Sequence, residues 1–236
     1  MRVIIVGAGP TGAALSWLLA RRGIEVVLVE REVTLDRLFR GEAMMPSGVD
    51  ALEQMGLEAG LAGIPQRTCE VMEFYVDRLR MLRFAGPDVS GPNAMRIVSQ
   101  PDLLERLIAE AGRFPGFTFE RGVSVRGFSR TVSGAVEVRG QRNSESLRLE
   151  ADYLIGADGR ASMVRKRAGL SIDSLAPGWD VVWYSAPLPA DLDARPRFMG
   201  FSTHNQQVVL YPSWDGRMRL GWLVRAGEYQ ELRDLG

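Results

Sequence analysis

The sequence predicts an α/β fold in which a parallel βαβ unit is interleaved with an antiparallel β-sheet. The βαβ unit is indicated at the N-terminus, where an apolar run at 2–6, a glycine-rich loop, a helical pattern and a second apolar run at 25–30 follow in order. The antiparallel sheet is indicated by alternation of polar and apolar residues at 71–84 and by aromatic-rich strands beyond 177. A chain of 236 residues can form one large domain or two smaller ones.

The glycine-rich loop is typical of a Rossmann-like dinucleotide site. Gly7, Gly9 and Gly12 have the spacing G-x-G-x-x-G, with Pro10 and Thr11 between the last two glycines. The first glycine permits a tight turn, the second lets the backbone approach a pyrophosphate, and the third lets the helix pack closely. The start of the helix then offers free N–H groups and a positive dipole end to phosphates.

The second apolar run ends in a carboxylate that indicates which dinucleotide binds. Glu30 follows Gly12 by eighteen residues, close to the spacing of a ribose-hydroxyl acceptor. A carboxylate accepts a hydrogen bond from a free 2′-hydroxyl and repels a 2′-phosphate, so the site favours FAD or NAD over NADP. Arg31, the next residue, slightly weakens this preference.

Composition excludes several other classes of function. The 29 basic and 29 acidic residues balance, which argues against a nucleic-acid or anionic-membrane surface. The apolar segment at 13–20 is too short to span a bilayer, and we expect no signal peptide. Cys69 is the only cysteine, which suits a cytoplasmic protein and a buried apolar role. The sequence contains neither a Cys/His metal cluster nor a Ser/His/Asp nucleophile pattern.

The remaining segments extend the α/β pattern. We expect a helix at 49–57 with Ser47 as its N-cap, a hairpin that turns at Asp77-Arg78, and a helix that begins near Gln100. Residues 117–155 read as a meander of short strands with a polar turn at 139–144. Further expected elements are a short basic helix after the segment 156–159, strands at 179–186, 207–212 and 217–225, and a helix at 228–235.

Together these motifs resemble the single-component FAD-dependent aromatic hydroxylases, the para-hydroxybenzoate hydroxylase family of group A flavoprotein monooxygenases. Three features carry the resemblance over essentially the whole chain. The first is the glycine loop with Glu30, and the second is Arg40 before a small-residue loop and helix, with Gln100 opening the next helix. The third is the segment Gly156-Ala157-Asp158-Gly159, followed by Ser162 and Arg165.

The resemblance implies a discontinuous FAD-binding domain, residues 1–70 and 96–175, and a substrate domain, residues 71–95 and 176–236, whose sheet lies over the flavin. It implies hydroxylation of an aromatic or polyketide-like molecule with O2 and NADH or NADPH, through a flavin C4a-hydroperoxide. The FAD-binding residues that follow from motif and resemblance are Gly7, Gly9, Pro10, Thr11, Gly12, Glu30, Arg31, Arg40, Gln100, Asp158 and Gly159. Tyr211, Arg219 and Trp222 are weaker candidates for substrate contact, and no catalytic residue or metal ligand is assigned.

One family feature is missing. The family has a third fingerprint, a Gly-Asp followed by a proline and glycines, and nothing after Gly159 supplies it, since Asp215-Gly216 reads as a hairpin turn. We therefore expect a partial form that is not a competent monooxygenase alone, with a second copy or a complementing C-terminal chain as its partner. Two alternatives remain: a catalytically inactive FAD- or dinucleotide-binding module or subunit, and a flavin halogenase or reductase on the same scaffold. Residues 221–224 lack the second tryptophan and the proline of the halogenase signature.

Overall fold

The computed structural model describes residues 1–36, 42–57, 63–86, 89, 91, 94–173, 178–204 and 206–234. Its strands, in chain order, are β1 Arg2–Val6, β2 Glu25–Glu30, β3 Ala43–Met44, β4 Gln66–Cys69, β5 Val71–Val76, β6 Leu79–Ala85, β7 Met95–Val98, β8 Phe117–Arg121, β9 Ser124–Arg130, β10 Val136–Arg142, β11 Glu145–Ala151, β12 Tyr153–Gly156, β13 Trp179–Pro187, β14 Phe198–Ser202, β15 Gln207–Pro212 and β16 Arg217–Arg225. Its helices are α1 Pro10–Ala20, α2 Pro46–Gln54, α3 Gln100–Ala111, α4 Met163–Arg167, α5 Ala190–Ala194 and α6 Glu228–Asp234.

The chain forms two compact units. The first comprises Met1–Arg37 and Pro101–Asp173, and the second comprises Leu38–Gln100 and Ser174–Gly236. The division into a FAD-binding domain, 1–70 with 96–175, and a substrate domain stays a prediction. In the part of the chain that the structure describes, no helix is both long enough and apolar enough to cross a membrane.

A parallel sheet organises the first unit. Its strand order is β12-β1-β2-β8, and every neighbouring pair is parallel. The inner strands are continuously apolar because both faces are buried, and Ile4 and Leu28 have no exposed surface. A second, antiparallel sheet has the order β11-β10-β9, and its Val138 packs into one core with Ile4 and with Val164 of α4. Parallel pairing brings the carboxyl ends of β1, β2 and β12 to one edge.

The second unit is built on a six-stranded sheet of order β13-β16-β15-β14-β5-β6. The expected antiparallel sheet is present, with one parallel pair inside it, β14 and β5. A small antiparallel sheet of order β3-β7-β4 accompanies it. Cys69 and Ile97 of the small sheet pack with Tyr211 of β15 in the core of this unit. Burial raises the pKa of the Cys69 thiol to about 12, with a smaller opposing effect from Arg67, so the thiol is an apolar core group.

The predicted α/β fold is confirmed, and most of its local elements are where the patterns put them. The βαβ unit is β1, α1 and β2, and α1 begins at Pro10, inside the glycine-rich loop. The turn of the β5–β6 hairpin has positive φ at both Asp77 and Arg78, +45° and +72°, as a type I′ turn requires. Asp215 and Gly216 lie in the turn between β15 and β16, as expected.

Three local expectations were wrong. Strand β8 belongs to the parallel sheet rather than to the meander, because it pairs with β2 after the chain crosses through α3. Strand β10 extends through Arg142, so the turn expected at 139–144 is confined to Asn143-Ser144. Helix α2 spans Pro46–Gln54 with Met45 as its N-cap, instead of 49–57 with Ser47 as its N-cap, because proline suits the first helical position. Strands β3, β4 and β14 and helix α5 were not predicted.

Candidate functional site

The loop after β1 is held tightly between its neighbouring strands. The Gly7 N–H donates to the Val29 carbonyl at 2.7 Å, and the φ of Gly7 is +103°. A Cβ at this position would lie 2.4 Å from the carbonyl oxygen of Ala157, which is closer than real Cβ atoms approach. Only glycine fits here, because both the backbone conformation and the adjacent chain exclude a side chain.

The other two glycines of the loop differ in what surrounds them. A Cβ on Gly12 would lie 1.9 Å from the Gly7 carbonyl oxygen, so Gly12 permits close packing of α1 against the loop. A Cβ on Gly9, the N-cap of α1, would meet no described atom within 4 Å. Pro10 and Thr11 follow in the first turn and are exposed. The surface beside Gly9 is therefore open, next to a helix N-terminus whose dipole favours an anion.

Glu30 ends β2 beneath this loop. Its carboxylate is 3% exposed, and Oε2 accepts a hydrogen bond from the Ala8 N–H at 2.8 Å. Oε1 accepts from the Glu32 N–H at 3.1 Å. Exposed Arg31 pairs with Glu32, with a Nε to Oε1 distance of 2.8 Å. Glu32 thus partly neutralises the charge of Arg31, and the Glu30 carboxylate is directed at the loop.

The segment after β12 reaches the same edge of the sheet. The Ala157 N–H donates to the Val6 carbonyl at 2.8 Å, directly before the glycine loop. The Asp158 carboxylate accepts hydrogen bonds from the Ser162 hydroxyl and from the N–H groups of Met163 and Val164, the latter two at 2.6 and 3.1 Å. Burial disfavours ionisation, but these hydrogen bonds outweigh it, so the pKa of Asp158 lies below its ordinary value of 3.8.

Asp158 therefore orders the turn that leads into α4. Gly159 has a φ of +81°, which suits glycine in this turn. The Ser162 hydroxyl caps α4 by accepting from the Arg165 N–H at 3.0 Å. The structure thus brings together two motifs that lie 150 residues apart, and Ala157 is the point at which they touch.

This edge suits a dinucleotide with a diphosphate. Open surface at Gly9 leaves room for a pyrophosphate, the start of α1 supplies N–H groups, and the Glu30 carboxylate suits a ribose hydroxyl. Arg40 lies outside the described residues. Gln100 is half-buried at the first position of α3. The roles of the predicted FAD-binding residues all stay predictions: Gly7, Gly9, Pro10, Thr11, Gly12, Glu30, Arg31, Arg40, Gln100, Asp158 and Gly159.

The candidate substrate residues lie on the six-stranded sheet but not on one face. Tyr211 and Arg219 are cross-strand neighbours, and alternation along β16 puts Trp222 on the opposite face. Tyr211 is 5% exposed, and its ring stacks on Phe198 at 5.9 Å between centroids. Burial, with a smaller contribution from the charge of Glu42, raises the pKa of Tyr211. Contact of these residues with a substrate stays a prediction.

Arg219 forms a buried charge network that the sequence analysis missed. Its guanidinium binds both carboxylate oxygens of Glu42, each at 3.1 Å, and donates to Asp215 at 2.7 Å and to Ser185 at 3.1 Å. Glu42 also accepts from the Ser213 hydroxyl at 3.0 Å. Burial disfavours the cation, but the hydrogen bonds to Asp215 and Glu42 outweigh it and raise the pKa of Arg219. Glu42 and Arg219 are 177 residues apart, and no local pattern signals that they pair.

Known proteins resemble this chain over its whole length. The profile of the family described as "FAD binding domain" matches residues 1–234. The chain is 33% identical to 6-methylpretetramide 4-monooxygenase of Streptomyces rimosus, over 99% of this chain and 56% of that protein. The structure of p-nitrophenol 4-monooxygenase PnpA from Pseudomonas putida DLL-E4 superposes with a TM-score of 0.85 at 19% identity, over 99% of this chain and 60% of that one.

A ternary complex of aklavinone-11 hydroxylase with FAD and aklavinone superposes with a TM-score of 0.78 at 21% identity, covering 96% of this chain and 46% of that one. The chain thus spans 46–60% of the length of these relatives. The family profile, the monooxygenase of 33% identity and the glycine loop all indicate a FAD-binding protein. The chain belongs to the FAD binding domain family and is a homologue of the group A flavin monooxygenases.

Proposed function

We propose that the complete protein hydroxylates a small aromatic or polyketide-like molecule, using FAD, O2 and NADH or NADPH. One observation carries this proposal: the Gly7–Gly12 loop, Glu30 and the Ala157-Asp158 segment converge at one edge of the parallel sheet. Two relatives support the kind of reaction, because one is named as a monooxygenase and the other as a hydroxylase with FAD and aklavinone bound.

The residues at this edge would hold the ADP half of the cofactor. The backbone at Gly9 and the start of α1 would contact the pyrophosphate, and Glu30 would accept from a ribose hydroxyl. Asp158 would keep the turn before α4 in place through its three hydrogen bonds. When bound, FAD supplies the redox chemistry with O2, and the protein supplies binding, orientation and exclusion of water.

We place the substrate on the six-stranded sheet of the second unit, with Tyr211, Arg219 and Trp222 as the candidate contacts. The face that carries Tyr211 is rich in aromatic rings, which suits a ligand with an aromatic system. Arg219 has its donors directed at Glu42, Asp215 and Ser185, so we propose that it positions this face instead of reacting. No side chain is assigned as a catalytic base.

Spectroscopy and turnover test this function together. FAD is titrated into the purified chain by flavin fluorescence, with ADP and NADP as competitors, and oxidation of NADH and NADPH by the complete protein is followed with a panel of phenols. FAD binding with competition by ADP and hydroxylated product supports the proposal. FAD binding without electron transfer or product, in the complete protein, identifies an inactive module. Preferential binding of NADP contradicts the role of Glu30.

A further inference from the structure

A single cross-strand row on the six-stranded sheet contains two glycines between aromatic residues. Hydrogen-bonded register aligns Trp183 with Gly221, Gly221 with Val209, Val209 with Gly200, and Gly200 with Phe74. Residues aligned in this way point to the same face of a sheet. This is the face that carries Tyr211, which is two positions from Val209 on the same strand. We refer to these five residues as the glycine row.

The aromatic rings of the glycine row lie across the sheet. Side chains of a strand ordinarily stand roughly perpendicular to the sheet. Here the far indole atoms Cζ3 and Cη2 of Trp183 are 2.8 and 2.9 Å from the point where a Cβ on Gly221 would lie. Likewise, Cδ1 of Phe74 is 2.7 Å from the Cβ position of Gly200. Each ring therefore occupies space on the neighbouring strand that only glycine leaves free.

The rings continue into a connected aromatic surface. Trp183 contacts Tyr211 edge-on, with centroids 6.1 Å apart, and Tyr211 stacks on Phe198. Phe74 contacts Phe198 at 6.1 Å. Tyr211 is buried in the core of the unit, whereas Trp183 is 37% exposed. The aromatic surface therefore includes the buried ring of Tyr211 and, next to it, the more accessible indole of Trp183.

We propose that Gly221 and Trp183 determine substrate specificity, because the indole that lies over Gly221 forms an aromatic floor that selects planar, fused-ring ligands over single-ring phenols. This inference rests on the proposed function and names its substrate class. An indole that lies along the sheet offers its π-face, and offset stacking gains with each additional ring of the ligand. A side chain at position 221 must displace the indole, because the nearest atoms to its Cβ are those of Trp183 and Val209.

Ligand binding to the Gly221→Ala variant tests the proposal. The probes are 1,8-dihydroxyanthraquinone, with three fused rings, and resorcinol, with one, and binding is followed by quenching of tryptophan fluorescence without reductant. Gly127→Ala is the matched control, since Gly127 also lies in a strand and its Cβ would meet no described atom within 4 Å. We expect G221A to weaken anthraquinone binding roughly tenfold and to leave resorcinol binding unchanged, while G127A changes neither.

A double-mutant cycle separates loss of the floor from loss of the fold. Trp183→Ala should weaken anthraquinone binding as G221A does, and the double variant should bind no more weakly than W183A alone. Equal affinity of the unsubstituted chain for both probes overturns the proposal, as does additive loss in the double variant. These outcomes are independent of FAD: if FAD does not bind while the anthraquinone result holds, the proposed function fails and the ligand floor stands. If FAD binds and hydroxylation occurs but G221A keeps the preference for the anthraquinone over resorcinol, only this inference fails.

Discussion

Replacing Gly9 with alanine should separate cofactor binding from folding. Gly9 has φ −70° and ψ −178°, which alanine adopts without strain, and an added Cβ meets no described atom within 4 Å. Alanine reduces the entropy of the unfolded chain but is a poorer N-cap than glycine, and these effects oppose each other. We expect the free energy of unfolding of Gly9→Ala without FAD to stay within about 1 kcal/mol of the unsubstituted value.

The affinity for FAD should fall, because the new methyl group occupies the open surface that a pyrophosphate needs. The interactions lost are hydrogen bonds from loop N–H groups to a charged phosphate, which contribute about 1.5–3 kcal/mol. That loss corresponds to a Kd raised by roughly 10- to 150-fold. ADP should lose affinity by a similar factor, since it carries the same pyrophosphate.

Gly12→Ala is the matched comparison for folding. Its Cβ would lie 1.9 Å from the Gly7 carbonyl oxygen, a backbone atom that cannot turn away. Overpacking of this kind costs about 1–3 kcal/mol or more. Gly12→Ala should therefore lower the free energy of unfolding even when no cofactor is present, unlike Gly9→Ala.

Urea unfolding without FAD and fluorescence titration with FAD and ADP measure the two quantities separately. A thermal scan with saturating FAD adds a check, because a ligand raises Tm only when it binds the folded chain. If a folded Gly9→Ala chain binds FAD and ADP with unchanged Kd, the pyrophosphate does not approach the backbone at Gly9. If Gly12→Ala unfolds at the same urea concentration as the unsubstituted chain, the packing argument is refuted.

Three further predictions follow from charged groups. Glu30→Gln should raise the Kd for FAD and for ADP by roughly 10- to 150-fold, because the ribose loses a charged acceptor; an unchanged ADP titration would contradict this role. Because the pKa of Asp158 is lowered, its ionisation stabilises the fold fully above pH 3.8, and this stability is lost as the pH falls through the folded-state pKa. Asp158→Asn should therefore lower the urea midpoint at neutral pH and approach the unsubstituted chain in acid, and a difference that is constant with pH would count against it. Glu42→Gln should lower the free energy of unfolding by about 1.5–3 kcal/mol, because the buried Arg219 loses its hydrogen bonds to a charged acceptor and keeps Asp215 as a carboxylate partner, and Glu42→Leu with Arg219→Met should cost less; additive losses in urea unfolding would show that the two residues are not coupled.

Local pattern was enough to predict the parts of the fold that depend on neighbouring residues. The apolar runs on both sides of Gly7–Gly12 predict β1, α1 and β2, because the spacing of buried residues along the chain differs between a strand and a helix. The alternation on either side of Asp77-Arg78 likewise predicts the β5–β6 hairpin. Patterns of this kind report which residues are buried, but not which strand lies alongside.

Pairing between distant segments was decided by the tertiary structure. The segment at 117–121 alternates as a meander strand would, yet it pairs with β2 in the parallel sheet. Strand β14 pairs in parallel with β5, about 125 residues earlier in the chain. Hydrogen bonds between strands are made by the backbone, which is the same in every residue, so side-chain periodicity carries little information about the partner.

The sequence by itself determined the cofactor motif: three glycines, a helix start and a carboxylate at a fixed spacing. Only the tertiary structure showed why two of those glycines have no substitute. The Ala157 backbone leaves no room for a side chain at Gly7, and the Gly7 carbonyl leaves none at Gly12. It alone paired Glu42 with Arg219 and laid the Trp183 indole over Gly221. The physical reason is the same in each case. A motif within thirty residues is specified by local geometry, whereas a contact between segments far apart in the chain exists only once the strands that carry it have paired.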